Sequence, residues 1–247
     1  MQKLKEIYRS NYAGETIVTD LTYQASSWEP TTEHIPNAVF NTHVTSQAVV
    51  IGNGESRLGF DLKHIARHQG GLLAADKLQS YGCNALYRDF TPDFLVATGD
   101  GIISEIAQSG YTAEHIVYTN AQYVLKYPSN FYIVPQNPTF DAGALAVYMA
   151  CFDGHDKIFL LGYDSYHGEG IMNNVYKDSP GYLASTVVED KSVFWAKTMA
   201  SVMRTYSNVD FVRVMPTADY WIPDELARIP NLRQIDFRGF VLEADIG

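Results

Sequence analysis

The chain has few of the features that mark several large classes of protein. Only Cys83 and Cys151 are cysteines among its 247 residues, which is too few for a disulfide framework and favours reduced, buried roles for both. Lysine and arginine total 18 against 28 acidic residues, giving a formal charge of −10. Because wrapping a nucleic acid backbone requires clustered basic residues, we expect no nucleic acid partner.

Long apolar runs are missing as well. No stretch approaches the length of a membrane-spanning helix, and the first ten residues contain no apolar segment of signal-peptide length. The sequence therefore predicts a cytoplasmic protein without a membrane partner, and it leaves a homo-oligomer open.

Metal-binding patterns are also scarce. The chain has no D-x-D pair, and His64 and His68 stand four residues apart without the H-E-x-x-H sequence of a zinc helix. We therefore predict no metal site and no cofactor.

What the chain does have is an alternation of apolar strand-like runs and helical patterns. We predict strands at 47–52, 93–98, 115–118, 131–134, 157–163 and 210–215, a short strand leading into 81–84, and helices at 57–70, 101–109, 142–153 and 188–206. This alternation predicts an α/β fold with a mostly parallel, Rossmann-like sheet and helices on both faces.

The same reading divides the chain into two parts. Residues 1–45 are predicted to be an N-terminal extension, in which Pro30 and Pro36 mark irregular structure. Residues 46–247 are predicted to be a nucleotide-binding domain, with a mobile lid loop at 165–182 that is polar, glycine-bearing and aromatic.

The end of the first core strand is the most informative segment. The predicted strand 47–52 ends in Gly52, Asn53 and Gly54, and Ser56 follows two residues later. A buried parallel strand that opens into such a turn can bring backbone N–H groups against a nucleotide or sugar phosphate. The third glycine of the dinucleotide fingerprint is absent, and a tight turn without a ligand would use the same glycines.

Other predicted strands also end in polar residues. Asn84, Asp100 and Asp164 each follow a strand, and ligands of open α/β sheets bind at the carboxyl ends of the strands. Asn84 and Asp100 could instead cap helices. For Asp164 we favour a role in holding its loop through backbone N–H groups over a direct part in catalysis.

Together these residues resemble a known family. The glycine turn at 52–56, Cys83 with Asn84, Gly143 inside an apolar helix and the strand with its aspartate at 158–164 look like the bacterial sialyltransferases of the CMP-sugar-using, GT-A-like class. They are also similar to the related MptE-like proteins, named for a pterin diphosphokinase.

The resemblance implies a metal-independent glycosyltransferase that takes a nucleotide-activated sugar, with a CMP-sugar favoured, and a hydroxyl acceptor. Asn53 and Asn84 would contact the nucleotide. Tyr166 and Tyr176 would hold the donor phosphate in place of a metal. His167 would act as general base on the acceptor hydroxyl.

Two observations keep other functions open. Glu55 stands where the family has proline, and its carboxylate would repel a phosphate unless Arg57 or a metal offsets it. Basic residues are also sparse where the phosphate would lie. The alternatives are an MptE-like diphosphate transferase, with Asp100 and Asp164 as metal ligands, and a non-catalytic nucleotide- or glycan-binding protein.

Overall fold

The computed structural model describes residues 2–7, 15–24, 27–36, 45–70, 75–164, 174–186 and 192–247. Its strands are β1 (Gln2–Ile7), β2 (Glu15–Gln24), β3 (Ser27–Pro36), β4 (Gln47–Ile51), β5 (Gln79–Cys83), β6 (Phe94–Val96), β7 (Ile116–Thr119), β8 (Tyr132–Ile133), β9 (Lys157–Leu161), β10 (Asp210–Met215) and β11 (Leu232–Asp236). Its α-helices are α1 (Lys63–Ala66), α2 (Asp100–Ser109), α3 (Ala121–Lys126), α4 (Ala142–Phe152), α5 (Ser192–Thr205), α6 (Asp224–Ala227) and α7 (Phe237–Glu243).

The larger sheet has eight strands in the order β11-β10-β9-β4-β5-β6-β7-β8, and every neighbouring pair is parallel. The central strands β4 and β9 are buried along almost their whole length. This is why they read as continuous apolar runs rather than as alternating patterns. The predicted α/β, Rossmann-like fold is confirmed.

The chain reverses its direction across the sheet once. It runs outward from β4 to β8, returns through α4 to β9 on the other side of β4, and then runs outward to β11. Because parallel crossovers are ordinarily right-handed, the helices that connect β4 to β8 are expected on the opposite face from those that connect β8 to β11. The point between β4 and β9 is the topological switch point, where ligands of such folds bind.

Helix α4 confirms the prediction for 142–153. Asp141 accepts a hydrogen bond from the Ala144 amide over 3.0 Å and so caps the helix, while Gly154 adopts a positive φ of 92° just beyond it. Every residue of α4 except Gly143 is buried, because the helix packs between the central strands and α5. The first turn of α4 is therefore held in a fixed position at the switch point.

The predicted helix at 57–70 is wrong in extent. The chain forms a short 3₁₀ turn at Glu55–Gly59 and restarts as the four-residue helix α1. The carboxylate of Asp164 binds the amide and hydroxyl of Ser56 in the 3₁₀ turn, and Asp61 accepts a hydrogen bond from the Lys63 amide between this turn and α1. Side chains that bind backbone amides in this way compete with a continuous helix.

The prediction of irregular structure in 1–45 is also wrong. Strands β1, β2 and β3 form a separate antiparallel sheet in that order. Pro30 and Pro36 lie in β3, which is an edge strand of this sheet. Within sheets, prolines are found mainly in edge strands, where a residue whose nitrogen faces away from the neighbouring strand loses no ladder bond.

The remaining elements follow the sequence closely. Strand β10 spans the predicted 210–215, and α5 covers the described part of the predicted helix 188–206. Of the predicted lid loop, residues 174–182 are described and residues 165–173 lie outside the described residues. Among the described segments, no helix is long and apolar enough to cross a membrane.

The two central strands continue to approach each other past their ends. The Gly52 amide donates to the Leu161 carbonyl over 2.8 Å, and the Gly54 amide donates to the Gly162 carbonyl over 3.0 Å. A Cβ on Gly52 would lie 2.5 Å from the oxygen of Gly162, and one on Gly54 would lie 1.7 Å from Oδ1 of Asp164. Contact between the strand ends therefore requires glycine here, with or without a ligand.

We expect Gly54→Ala to lower the free energy of unfolding by about 1–3 kcal/mol, because the added methyl group overlaps the Asp164 carboxylate. Gly101→Ala is the matched control. Its Cβ would meet only the Cα of Gly181, at 3.8 Å, and alanine is favoured in a helix. Urea unfolding followed by circular dichroism measures both variants, and a Gly54→Ala protein as stable as the wild type would contradict this packing.

Candidate functional site

A cavity of about 250 Å³ lies at the carboxyl edge of the sheet, at the switch point between β4 and β9. Its walls come from the segments that follow β4, β5 and β9 and from the first turn of α4. The lining residues are Gly52, Asn53, Gly54, Cys83, Asn84, Asp141, Ala142, Gly143, Gly162, Tyr163, Asp164, Asn174 and Trp195.

Six of the residues predicted from sequence line this one cavity. They come from separate parts of the chain and meet because the carboxyl ends of parallel strands share one edge. They are Gly52, Asn53, Gly54, Asn84, Gly143 and Asp164.

Three of the other predicted residues, Ser56, Asp100 and Tyr176, do not line it. Ser56 lies beside the cavity and bonds to Asp164. The side chain of Asp100 is 78% exposed and pairs with Lys126 over 3.0 Å, as a surface pair at the start of α2. Tyr166 and His167 lie outside the described residues.

Asp164 ties the end of β9 to the turn after β4. Its Oδ1 accepts a hydrogen bond from the Ser56 hydroxyl over 2.7 Å, and its Oδ2 accepts one from the Ser56 amide over 3.1 Å. The carboxylate thus binds a backbone N–H of the distant glycine turn. The predicted role in holding its own loop stays a prediction, because residues 165–173 lie outside the described residues.

Asn84 has a backbone role in addition to its place in the cavity wall. Its φ of 49° lies in the left-handed region, which asparagine adopts more readily than most residues. Its Oδ1 accepts a hydrogen bond from the Thr98 amide over 3.0 Å, which joins the ends of β5 and β6. The side chain is therefore held in place before any ligand binds.

Asn53 is held by both neighbours of its turn. Its Nδ2 donates to the Cys83 carbonyl over 3.2 Å and to the Tyr182 hydroxyl over 3.4 Å, while its own carbonyl accepts from the Val175 amide over 2.8 Å. Its Oδ1 is buried and has no hydrogen-bond partner. The only group of this side chain left for a ligand is therefore an acceptor.

Asp141 lines the cavity, although the sequence indicated only a helix cap for it. Burial raises the pKa of its carboxyl above the ordinary value, while the nearby amides of Ala144 and Gly143 favour the charged form. Its Oδ2 is buried without a hydrogen-bond partner. The sequence feature that could have indicated its place in the cavity is its position directly before the helix that leads back to the switch point.

Tyr163 and Cys83 form the inner wall. The Tyr163 hydroxyl donates to the Gly143 carbonyl over 2.9 Å, and burial raises its pKa well above the ordinary value. Burial raises the pKa of Cys83 to about 12, so it is a neutral thiol rather than a nucleophile at physiological pH. Both side chains therefore shape the cavity without carrying charge.

Carboxylates dominate the charge of the lining. Asp141 and Asp164 face the cavity, and among the described residues that line it there is no lysine or arginine. A fully buried arginine lies behind this wall: Arg213 donates from Nε to the Tyr163 carbonyl over 2.8 Å. Burial lowers its pKa to about 10, while the carboxylate of Asp164 works in the opposite direction.

The basic residues that the sequence places near this edge are occupied in ion pairs. Arg88 pairs with Glu105, and Lys177 pairs with Glu55 over 2.7 Å. The second pair neutralises the carboxylate that stands at the family's proline position. Glu55 is not among the residues that line the cavity, and its ion pair with Lys177 reduces its repulsion towards a phosphate.

Residues 174–186, which we call the strap, cover one side of the cavity. The Ala85 amide donates to the Tyr182 hydroxyl over 3.2 Å, and Arg88 donates to Ser179 and to the carbonyl of Pro180. The strap therefore joins the turns that follow β4 and β5. It also brings Asn174 into the lining, which no sequence pattern indicated.

Tyr176 lies in the strap but outside the cavity lining. Its hydroxyl accepts a hydrogen bond from Nη2 of Arg57 over 2.9 Å and donates one to the carboxylate of Asp89. Arg57 is itself 3% exposed and lies near the same tyrosine ring. The sequence predicted a phosphate ligand here, whereas the geometry places the hydroxyl inside a protein ion pair.

Trp195 closes the cavity from helix α5, with its ring centroid 6.3 Å from that of Tyr163. Its position in a long amphipathic helix gave no signal of a binding role.

Within the part of the chain that the structure describes, no group of three or more His, Cys, Asp or Glu side chains is arranged to hold a metal ion.

Comparison of the chain with known protein families, with curated proteins and with solved structures finds no match. The resemblance to the sialyltransferase and MptE-like group therefore stays a prediction from the quoted motifs.

We expect Tyr176→Phe to lower the free energy of unfolding by about 1–3 kcal/mol, because Arg57 and Asp89 lose a buried partner. The affinity for CMP should stay unchanged, since the lost hydroxyl does not line the cavity. Urea unfolding and calorimetry measure the two quantities, with Tyr132→Phe, at a tyrosine that is 49% exposed, as control. A tenfold weaker affinity at unchanged stability would instead assign Tyr176 to the phosphate.

Proposed function

We propose that the protein binds a nucleotide-activated sugar in the switch-point cavity and transfers the sugar to a hydroxyl acceptor. The observation that carries the proposal is the meeting of Asn53, Asn84, Gly143 and Asp164, from four separate segments, around one cavity. The place of the cavity is the usual nucleotide site of an open α/β sheet. The motif resemblance favours a CMP-sugar as the donor.

The reaction has a simple balance. The acceptor oxygen forms a bond to the anomeric carbon of the sugar as the bond from that carbon to the phosphate oxygen breaks. The electron pair of the broken bond leaves with the nucleotide phosphate, and a base takes the acceptor proton. The proposal assigns His167 as the base, because an imidazole titrates close to physiological pH.

The leaving phosphate needs a partner for its charge. The resemblance assigns it to tyrosine hydroxyls in the segment after Asp164. Since the hydroxyl of Tyr176 is bound by Arg57 and Asp89, the proposal gives this role to Tyr166.

The geometry disfavours the diphosphate transferase. That reaction would need magnesium, with Asp100 and Asp164 as the candidate metal ligands. Asp164 lines the cavity and binds Ser56, whereas Asp100 lies outside the lining and pairs with Lys126. A non-catalytic nucleotide- or glycan-binding protein would use the same cavity, so the assays below separate it from the transferase.

Ligand binding is tested first with CMP, UDP, GDP and ATP, each with and without magnesium. We expect CMP to raise the melting temperature most, with no effect of magnesium, because ligand at 100 times its Kd stabilises a protein by about 2.7 kcal/mol. The largest shift with ATP and magnesium would favour the diphosphate transferase. The absence of a shift with every nucleotide would contradict the proposal.

Catalysis is tested with His167→Gln. We expect transfer or hydrolysis of a CMP-sugar to fall by about 10²–10⁴-fold, the usual contribution of a general base, with the affinity for CMP unchanged. His115→Gln is the control, since His115 precedes β7 at the opposite edge of the sheet. If the wild type binds CMP but turns over no nucleotide-sugar, the protein is a binding protein rather than a transferase.

A further inference from the structure

The side-chain amide of Asn53 is held in one orientation. Its nitrogen faces the carbonyl of Cys83 and the hydroxyl of Tyr182. A peptide carbonyl can only accept, so the opposite orientation would set two oxygens against each other. The oxygen Oδ1 is therefore fixed as the unused atom, and it has no hydrogen-bond partner.

Asp141 supplies a second unused oxygen in the same lining. Its Oδ1 caps α4 through the Ala144 amide, and its Oδ2 is buried without a hydrogen-bond partner. An ionised carboxylate has no proton to donate, so both free atoms are acceptors. Six side-chain atoms of the described residues are buried without a hydrogen-bond partner, and two of them belong to residues that line this one cavity. Such atoms are rare in folded proteins, so their meeting here points to a ligand that supplies the donors.

We infer that Asn53 and Asp141 form an acceptor pair that receives hydrogen bonds from a hydroxyl or amino group of the bound nucleotide. The inference rests on the proposed function and specifies which part of the ligand lies between the glycine turn and α4. Two groups of a cytidine nucleotide carry suitable donors, namely the exocyclic amine of the base and the ribose hydroxyls.

The same pair places the phosphate elsewhere. A helix N-terminus is ordinarily an anion site, but at α4 the carboxylate of Asp141 already occupies it. A phosphate beside Asp141 would meet like charge. Its place is therefore away from the first turn of α4.

The variant Asp141→Asn separates the acceptor role from the capping role. Asparagine is as good a helix cap as aspartate, so its oxygen can still accept from the Ala144 amide. Its NH₂ group then replaces the free acceptor with a donor. Asp236→Asn is the matched control, because Asp236 caps α7 in the same way, accepting from the Gly239 amide over 2.7 Å.

The test measures affinities of wild type and variant for CMP, UMP, 2′-deoxy-CMP and 3′-deoxy-CMP by calorimetry. Each analogue lacks one hydrogen-bond donor of CMP. We expect at least one of these removals to weaken binding to the wild type and to Asp236→Asn by about tenfold. The same removal should have little effect in Asp141→Asn, because the partner is already gone. UMP identifies the amine as the source, and the deoxy analogues identify the ribose hydroxyls.

The phosphate is tested by comparing CMP with cytidine. The affinity for CMP relative to that for cytidine should rise in Asp141→Asn, since a negative charge has been removed from the cavity and the phosphate is repelled less. Donor removals with equal effects on wild type and Asp141→Asn would overturn the acceptor pair and leave nucleotide binding intact. If the wild type binds UMP, 2′-deoxy-CMP and 3′-deoxy-CMP as tightly as CMP, the acceptor pair is overturned even if the variant fails to fold. If the wild type binds no nucleotide, the proposed function is overturned as well.

Tyr182→Phe tests the orientation of Asn53 separately. Losing the hydroxyl leaves the Cys83 carbonyl as the one remaining acceptor for Nδ2, so the amide is held less firmly and we expect the preference for CMP over the sensitive analogue to shrink. A change in stability alone, with the preference intact, would make Tyr182 a structural residue only and would remove the argument that it orients Asn53.

Discussion

The contact between the ends of β4 and β9 is the constraint on which the cavity depends. Gly52 and Gly162 face each other with no room for a side chain, and Gly54 leaves space only for the carboxylate of Asp164. That carboxylate then fixes Ser56, so the glycine turn is set by a residue far along the chain. The turn thus serves the contact between strands first, and the cavity follows from it.

Much of the fold could be predicted because its central elements carry their signal locally. Strands β4, β9 and β10 and helix α4 are buried on all sides and so read as continuous apolar runs. The prediction of one helix at 57–70 failed because Asp61 binds the Lys63 amide between the 3₁₀ turn and α1, and the spacing of apolar residues does not indicate such a bond. The prediction of irregular structure at 1–45 failed because it took Pro30 and Pro36 as breaks, whereas an edge strand tolerates proline.

The candidate site could be predicted in part for a similar reason. Polar residues at strand ends converge by topology alone, which brought Asn53, Asn84 and Asp164 into one lining. Side-chain partners are not set by topology. The sequence could not indicate that the hydroxyl of Tyr176 is taken by Arg57 and Asp89, or that the cap of α4 leaves an oxygen of Asp141 unused.

Helix α4 is enclosed on every side, and this has a consequence for how occupancy of the cavity is transmitted. A surface helix can unravel by itself, but α4 cannot separate from the sheet and α5 without opening the core. A ligand bound at its first turn would therefore stabilise the protein against global unfolding rather than against local fraying of one helix. Binding of such a ligand will slow hydrogen exchange at the most protected amides of β4 and β9, far beyond the atoms it contacts.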